Sequence, residues 1–226
     1  KMDGQELDAA IAGLFGITDE SAVSRALVAL MGASSLDRKR TDQLLSLLDR
    51  WSEREVSSKL LGLLSFSQEE DYVVGEVTRR LDSSKMVDAT WHALLFFPCQ
   101  EGILRWMISE LETRVVPSAM AARVFASANS RCEGDKDYPH ERVSQIVLAQ
   151  LTRGIPEEAR AKMVGVLIRA ADSSTPQTLE KLWETESGPS VRLEFLRSLS
   201  SLRLPSLYPW GRAFAQRLID GGSLSQ

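Results

Sequence analysis

Between Thr18 and Gly221 an apolar pattern returns about every thirty to forty residues, and each return is followed by a turn and a second amphipathic stretch. The recurring sets are Val23-Leu27-Leu30, Val56-Leu60-Leu63, Val87-Trp91-Leu94, Met120-Val124 and Val191-Phe195-Leu199. Steps of three and four residues place each set on one face of a helix. A single pair of short helices cannot bury such a face alone, so each unit needs a neighbour stacked upon it.

The punctuation of the chain agrees with this period. A first helix from about Asp3 to Phe15 carries Leu7, Ile11 and Leu14 and reads as a cap on the first repeat. Thr18-Asp19-Glu20 offers an N-cap and an acidic first turn for a helix to Met31, and Gly32-Ala33-Ser34-Ser35 separates it from the next, Leu36 to Trp51. The second pair is Glu53 to Phe66 with Gln68 to Leu81, and the third is Ser84 to Phe97 with Gln100 to Arg114. Pro117 to Asn129 and Pro139 to Arg153 form the fourth around a polar, acidic loop, Ser130 to Tyr138. Pro156 to Ala171 with Pro176 to Glu186, then Pro189 to Leu202 with Pro205 to Asp220, complete six pairs. Proline is welcome in a first helical turn, where its missing N–H costs nothing. No stretch alternates apolar and polar residues between turn signals as a strand does. The expectation is an all-α fold, an α-α superhelix of about six helical hairpins behind an N-terminal capping helix, forming one domain over residues 1–226.

The 226 residues are 43% hydrophobic and 26% charged, which excludes a mainly disordered chain. The Lys1-Met2 start suggests a piece of a longer protein. A formal charge of −4 gives no overall field for a polyanion. Cys99 and Cys132 lack metal-binding spacing and fit a reducing interior, and no apolar run approaches the ~18 residues of a membrane span. These features point to an intracellular protein, cytoplasmic or nuclear.

Pro189-Ser190-Val191-Arg192, with Phe195 and Leu199, is similar to the opening of the first helix in the HEAT-repeat superfamily, and Val23 and Val56 keep its valine. The resemblance implies HEAT-like hairpins in a right-handed superhelix whose second helices line a concave face. Asp49-Arg50-Trp51-Ser52-Glu53-Arg54 also resembles, weakly, a motif of the tubulin-binding TOG domains, where the tryptophan stands in the first repeat.

Catalytic or metal chemistry finds few carriers. His92, in an apolar helix, reads as a core or half-buried histidine, and His140, at a helix start, as a solvated one. Asp135-Lys136-Asp137 has part of a calcium-loop pattern but lacks its later ligands, so that segment reads as a plain solvated loop first and a mobile partner-contact loop second. Phosphate-binding glycine motifs and nucleophile elbows are absent. The expectation is a non-enzyme with no cofactor and no metal site.

The arginines are more regular. Arg50, Arg79, Arg80, Arg114, Arg153 and Arg217 fall at or near the ends of successive second helices, and only the fifth repeat lacks one. In register they would form a ridge along one edge of a concave face, although cations at helix C-termini are stabilised without any ligand. Of the five tryptophans, Trp51 sits at a junction between repeats, where partial exposure would make it a contact residue. The resulting expectation is a protein-binding scaffold or adaptor that holds a partner segment through Arg50, Trp51, Arg79, Arg80, Arg114, Arg153 and Arg217. The alternative is a nucleic-acid-binding repair protein similar to the HEAT-like DNA glycosylases, which the negative charge disfavours. Tubulin binding ranks third.

Overall fold

The computed structural model describes residues 3–31, 36–51, 54–82, 86–97, 100–172 and 174–220. Among the described residues the fold is all-α, with thirteen α-helices and no strand. The capping helix α1 is Gly4–Leu14; the pairs that follow are α2 Glu20–Leu30 with α3 Arg38–Arg50, α4 Arg54–Leu64 with α5 Glu70–Arg80, and α6 Asp88–Leu94 with α7 Gln100–Thr113. Then come α8 Ala119–Cys132 with α9 His140–Leu151, α10 Glu157–Arg169 with α11 Thr175–Thr185, and α12 Pro189–Leu199 with α13 Tyr208–Asp220. Every expected helix is present.

Local chemistry explains the boundaries. Asp3 and Glu6 form a reciprocal capping box on α1, while the Asp19, Asp37 and Ser118 side chains each accept a backbone N–H in the first turn of α2, α3 and α8. Pro139 and Pro156 sit at the N-caps of α9 and α10, and Pro189 is the first residue of α12. Pro205 opens a 3₁₀ turn, Pro205–Leu207, ahead of α13. At α11 the anchor is Asp172, whose carboxylate accepts from the Ser174 and Thr175 N–H groups at 2.8 and 3.2 Å. The Gly32-Ser35 break, Cys99 and the Lys1-Met2 start lie outside the described residues.

The contacts divide the chain into two compact units, Lys1–Trp106 and Met107–Gln226. In the first unit α2 packs on α4 and α4 on α6, α3 packs on α5, and α1 covers α2 and α3. In the second unit α10 is central, against α8, α9 and α12, and α12 carries α13. First helices thus stack on first helices, which is how repeats that cannot bury their own apolar faces make a core. Val23, Leu27, Val56, Leu60, Trp91, Val124, Val191 and Phe195 are all buried. Met120 is only half-buried, and Val87 is 38% exposed, because α6 is only seven residues long and Val87 stands before it as an extended N-cap residue.

Polar contacts repeat the period. Arg40 donates to Asp8, Arg80 to Asp49, Ser58 to the Ala89 carbonyl and Arg142 to Glu112 across separations of 30 to 32 residues, at 2.6 to 2.9 Å. Each joins a residue to its neighbour one repeat away. The spacing visible in the sequence is therefore the stacking interval within each unit.

Candidate protein-binding edge

The last turn of a second helix leaves carbonyl oxygens unpaired and carries partial negative charge. Arginine is the side chain suited to both, with several donors in one planar fork. In the first unit, Arg50 at the end of α3 donates to the Phe15 and Ile17 carbonyls at 2.6 and 3.1 Å, closing the end of α1. Arg80 at the end of α5 reaches Asp49 at 2.8 Å and also binds the Glu76 carboxylate and the Glu76 carbonyl. Arg79 approaches the same Glu76 at 2.8 Å, and the two guanidiniums, Arg79 first, push the Glu76 carboxyl down to about 2.

In the second unit, Arg153 beyond α9 donates to the Arg114 carbonyl at 3.0 Å, and Arg217 in α13 pairs with Glu180 of α11 at 2.6 Å. Arg114 itself lies 3.3 Å from Glu110. The ridge residues are thus engaged within the protein, yet the side chains of Arg79 and Arg217 remain more than half exposed and Arg50, Arg114 and Arg153 are exposed at the surface. The structure places Arg50, Arg79 and Arg80 in the first unit and Arg114, Arg153 and Arg217 in the second.

Trp51 departs from expectation. It is buried, with the Arg50 guanidinium 5.6 Å from its ring centre and its backbone carbonyl accepting from Ser57 at 3.0 Å. Trp51 is therefore a packing residue at the end of α3 and offers little surface for contact. His92 departs in the other direction: it is exposed on α6, edge-on to Phe96 at 5.4 Å, because its neighbours Trp91 and Ala93 take the inward face.

Two features escape sequence reasoning altogether. The fifth repeat has no arginine at the end of α11, but Arg192 of α12 fills the place, donating to the Glu186 carbonyl at 2.9 Å with its guanidinium 5.2 Å from the Trp183 ring centre. Arg160 of α10 adds two bonds to the Glu186 carboxylate, at 3.0 and 3.2 Å. Against the upward push of burial, Arg160 and the Gly188 N–H hold that carboxyl below its ordinary range. The second is Gln150, fully buried, whose amide donates to the Leu111 and Arg114 carbonyls at 2.7 Å each and accepts from the Val116 N–H at 2.8 Å. It completes the end of α7 from one repeat away.

Each unit has a cleft at the ends of its own second helices. One of about 320 Å³ opens between the ends of α3 and α5, lined by Leu48, Asp49, Arg80 and Leu81 and floored by Ser57 and Thr90. In the second unit one of about 360 Å³ opens between the ends of α9 and α11, lined by Thr152, Gly154, Arg160 and Glu186 with Val191 and Phe195 beneath. Both occupy the same position in the repeat, between consecutive second-helix ends over a first helix.

The acidic loop of the fourth repeat is exposed over Gly134, Asp135, Lys136 and Asp137, as expected, and is anchored at its two ends. Helix α8 runs three residues beyond the expected Asn129, and Glu133 is buried, paired with Arg203 at 2.6 Å and Arg169 at 3.5 Å. Tyr138, also buried, donates to Asn129, and burial followed by the Glu133 charge raises its pKa. His140 is exposed, as expected, with its ring 4.3 Å from that of Tyr138; partial burial, then Arg203, lowers its pKa. Among the described residues no three carboxylate, histidine or cysteine side chains gather as a metal site would require, and no helix is long and apolar enough to cross a membrane.

No protein-family model matches the chain, and comparison with curated proteins and with solved structures finds no match either.

Proposed function

We propose that this chain is a HEAT-like, non-catalytic scaffold that binds acidic, extended segments of another protein at the second-helix ends of its units. The observation that carries the reading is the recurrence of one arrangement in both units: a cleft between consecutive second-helix ends, with arginine on its wall. Arg80, at the end of the second helix α5, lines the first cleft and Arg160, in the first turn of the first helix α10, lines the second, while Arg79 and Arg217 keep exposed guanidiniums on second helices. A carboxylate-bearing segment finds there a guanidinium together with apolar lining, Leu48 and Leu81 in the first cleft and Val191 and Phe195 in the second. Pro189-Ser190-Val191-Arg192 supports the HEAT likeness, since Pro189 begins α12, Val191 is buried and Arg192 caps the preceding helix.

The test is co-purification from the native host with the unaltered chain and with an Arg79→Ala, Arg153→Ala, Arg217→Ala variant. A protein recovered with the first and lost with the second, at equal melting temperatures, is the expected result. Recovery unaffected by the three substitutions would remove the arginine edge from the function. Duplex DNA held with a steep salt dependence, a slope near −0.9 per phosphate contact, would replace the scaffold reading with nucleic-acid binding.

A further inference from the structure

The outer side of α12 and α13, in the second unit, is defined by what their inner sides touch. The main helix contacts of α12 are with α10 and α13. Its Glu194 and Ser198 turn toward α10 at Gly165, where a β-carbon would stand 2.8 and 3.2 Å from their side-chain oxygens. On α13, Trp210 and Arg217 turn toward α11 and donate to the Glu180 carboxylate at 2.7 and 2.6 Å. With about 3.6 residues per turn, Leu193, Leu196 and Ser200 then point away from α10, and Tyr208, Arg212 and Ala215 away from α11. Leu193 and Tyr208 are 48% and 45% exposed, and Leu204, in the turn that joins the two helices, is 41% exposed. A repeat that closes a stack has a polar outer face. These apolar side chains stand instead where one more repeat would pack.

The charge around them has one sign. From Gly188 to Asp220 the basic residues are Arg192, Arg197, Arg203, Arg212 and Arg217, and the acidic ones only Glu194 and Asp220. Glu194 is turned toward α10, and Asp220 stands at the far end of α13, accepting from Gln216 at 2.8 Å. Three of the arginines reach back into the fold: Arg192 to the Glu186 carbonyl, Arg203 to Glu133 and Arg217 to Glu180. Arg197 and Arg212 are exposed and, among the described residues, have no ion pair. Leu193 and Leu196 therefore lie between two cations whose charge no neighbouring carboxylate offsets.

We propose that this side docks an acidic amphipathic helix of a partner protein, laid along α12 in the place that a following first helix would take. It is a surface beyond the second-helix ends and independent of them. Helices pack about 8–10 Å apart, and a helix at that distance sets apolar residues at i, i+3 and i+7 on Leu193 and Leu196, with Leu204 and Tyr208 at its margin. Carboxylates on its two flanks then meet Arg197 on one side and Arg212 on the other, and the complementary charges speed encounter. A second copy of the same face is a poor occupant, because it would set arginine against arginine.

The probe is a synthetic peptide of about eighteen residues, long enough to be helical alone, with leucine along one face, glutamate beside it and alanine behind. Its controls are a scrambled peptide of identical composition and a lysine-for-glutamate counterpart. Binding to the full chain is followed by fluorescence anisotropy, and light scattering gives the mass of the free chain. The patterned acidic peptide is expected to bind a monomer. Leu193→Ser with Tyr208→Ser should weaken it roughly tenfold or more, as loss of apolar anchors does, at unchanged melting temperature. Arg197→Glu with Arg212→Glu should weaken it as well, and both control peptides should bind no better than these variants allow. Arg79→Ala with Arg153→Ala should leave the helix bound, which separates failure here from failure of the second-helix ends. If the double serine variant loses its fold, Leu193→Ser alone carries the comparison. No binding of the patterned peptide, equal binding by the scrambled one, or binding indifferent to the serine or glutamate substitutions would overturn the proposal. A dimer that Leu193→Ser dissociates would overturn it too, giving this side to a second copy of the chain.

Discussion

Gln150 and Arg80 show how single side chains hold successive repeats together. Three backbone groups at the end of α7 bond to the one Gln150 amide. Gln150→Leu keeps most of the volume but removes that partner from the Leu111 carbonyl and the Val116 N–H, leaving the Arg114 carbonyl to Arg153, and should lower unfolding free energy by about 2–4 kcal/mol, read from a urea denaturation curve. An unchanged midpoint would mean that water replaces the amide. For Arg80, reversal is not the innocuous surface change that its place on a helix end implies. Its side chain is only 20% exposed, and Arg80→Glu sets a third carboxylate beside Asp49 and Glu76. A loss on the order of 1–3 kcal/mol is expected, whereas Arg79→Glu, 65% exposed, should alter the midpoint far less. Equal losses from the two would show that the Asp49 contact adds nothing.

At the scale of elements, stability concentrates where first helices meet. Phe195 of α12 is 1% exposed and lies 5.5 Å from the Trp183 ring and 5.9 Å from Phe214, so it joins α11, α12 and α13. Phe195→Ala should cost about 3–5 kcal/mol through lost contacts and a cavity. Phe195→Asp, and likewise Val56→Asp in the fully buried face of α4, should prevent cooperative folding by placing an unpaired charge in the seam. Circular dichroism melts report both, and a cooperative transition in either aspartate variant would mean the seam admits water.

Across the whole molecule, the ladders of ion pairs set the response to acid. Arginine partners hold Asp8, Glu76 and Glu112 below their ordinary range; Lys59, then Ser24, does so for Glu55, and Trp210, then Arg217, for Glu180. A carboxyl with a depressed folded pKa stabilises above its unfolded value and loses that contribution as pH falls through the folded one. Stability should therefore fall mainly between pH 4.5 and about 2, the ordinary and folded values for Glu76. His140, whose pKa is lowered on folding from 6.5, adds a shallow loss that begins below that pH, because the unfolded chain takes up its proton first. Urea midpoints at successive pH values test this, and 1 M salt, with a Debye length of about 3 Å, should flatten the steep part. A midpoint that stays constant down to pH 3 would show the ladders to be energetically neutral.

The sequence alone determined the helices, their order and their period, because apolar spacing, N-cap residues and proline act within one or two turns and need no distant partner. It also located the arginines at helix ends, where the macrodipole favours them whatever the tertiary contacts. Which side chains face solvent was decided only on folding. Trp51 is buried and His92 exposed, the reverse of expectation, because the inner face of a short helix and the packing of its last residue are set by the neighbours it meets. Arg192 filled the fifth-repeat place from the following helix, and Glu133 drew the acidic loop inward to Arg203, 70 residues away. The Glu133 pairing spans two repeats and exists only once the hairpins have stacked, whereas Arg192 reaches Glu186 across a six-residue turn whose geometry apolar spacing does not encode.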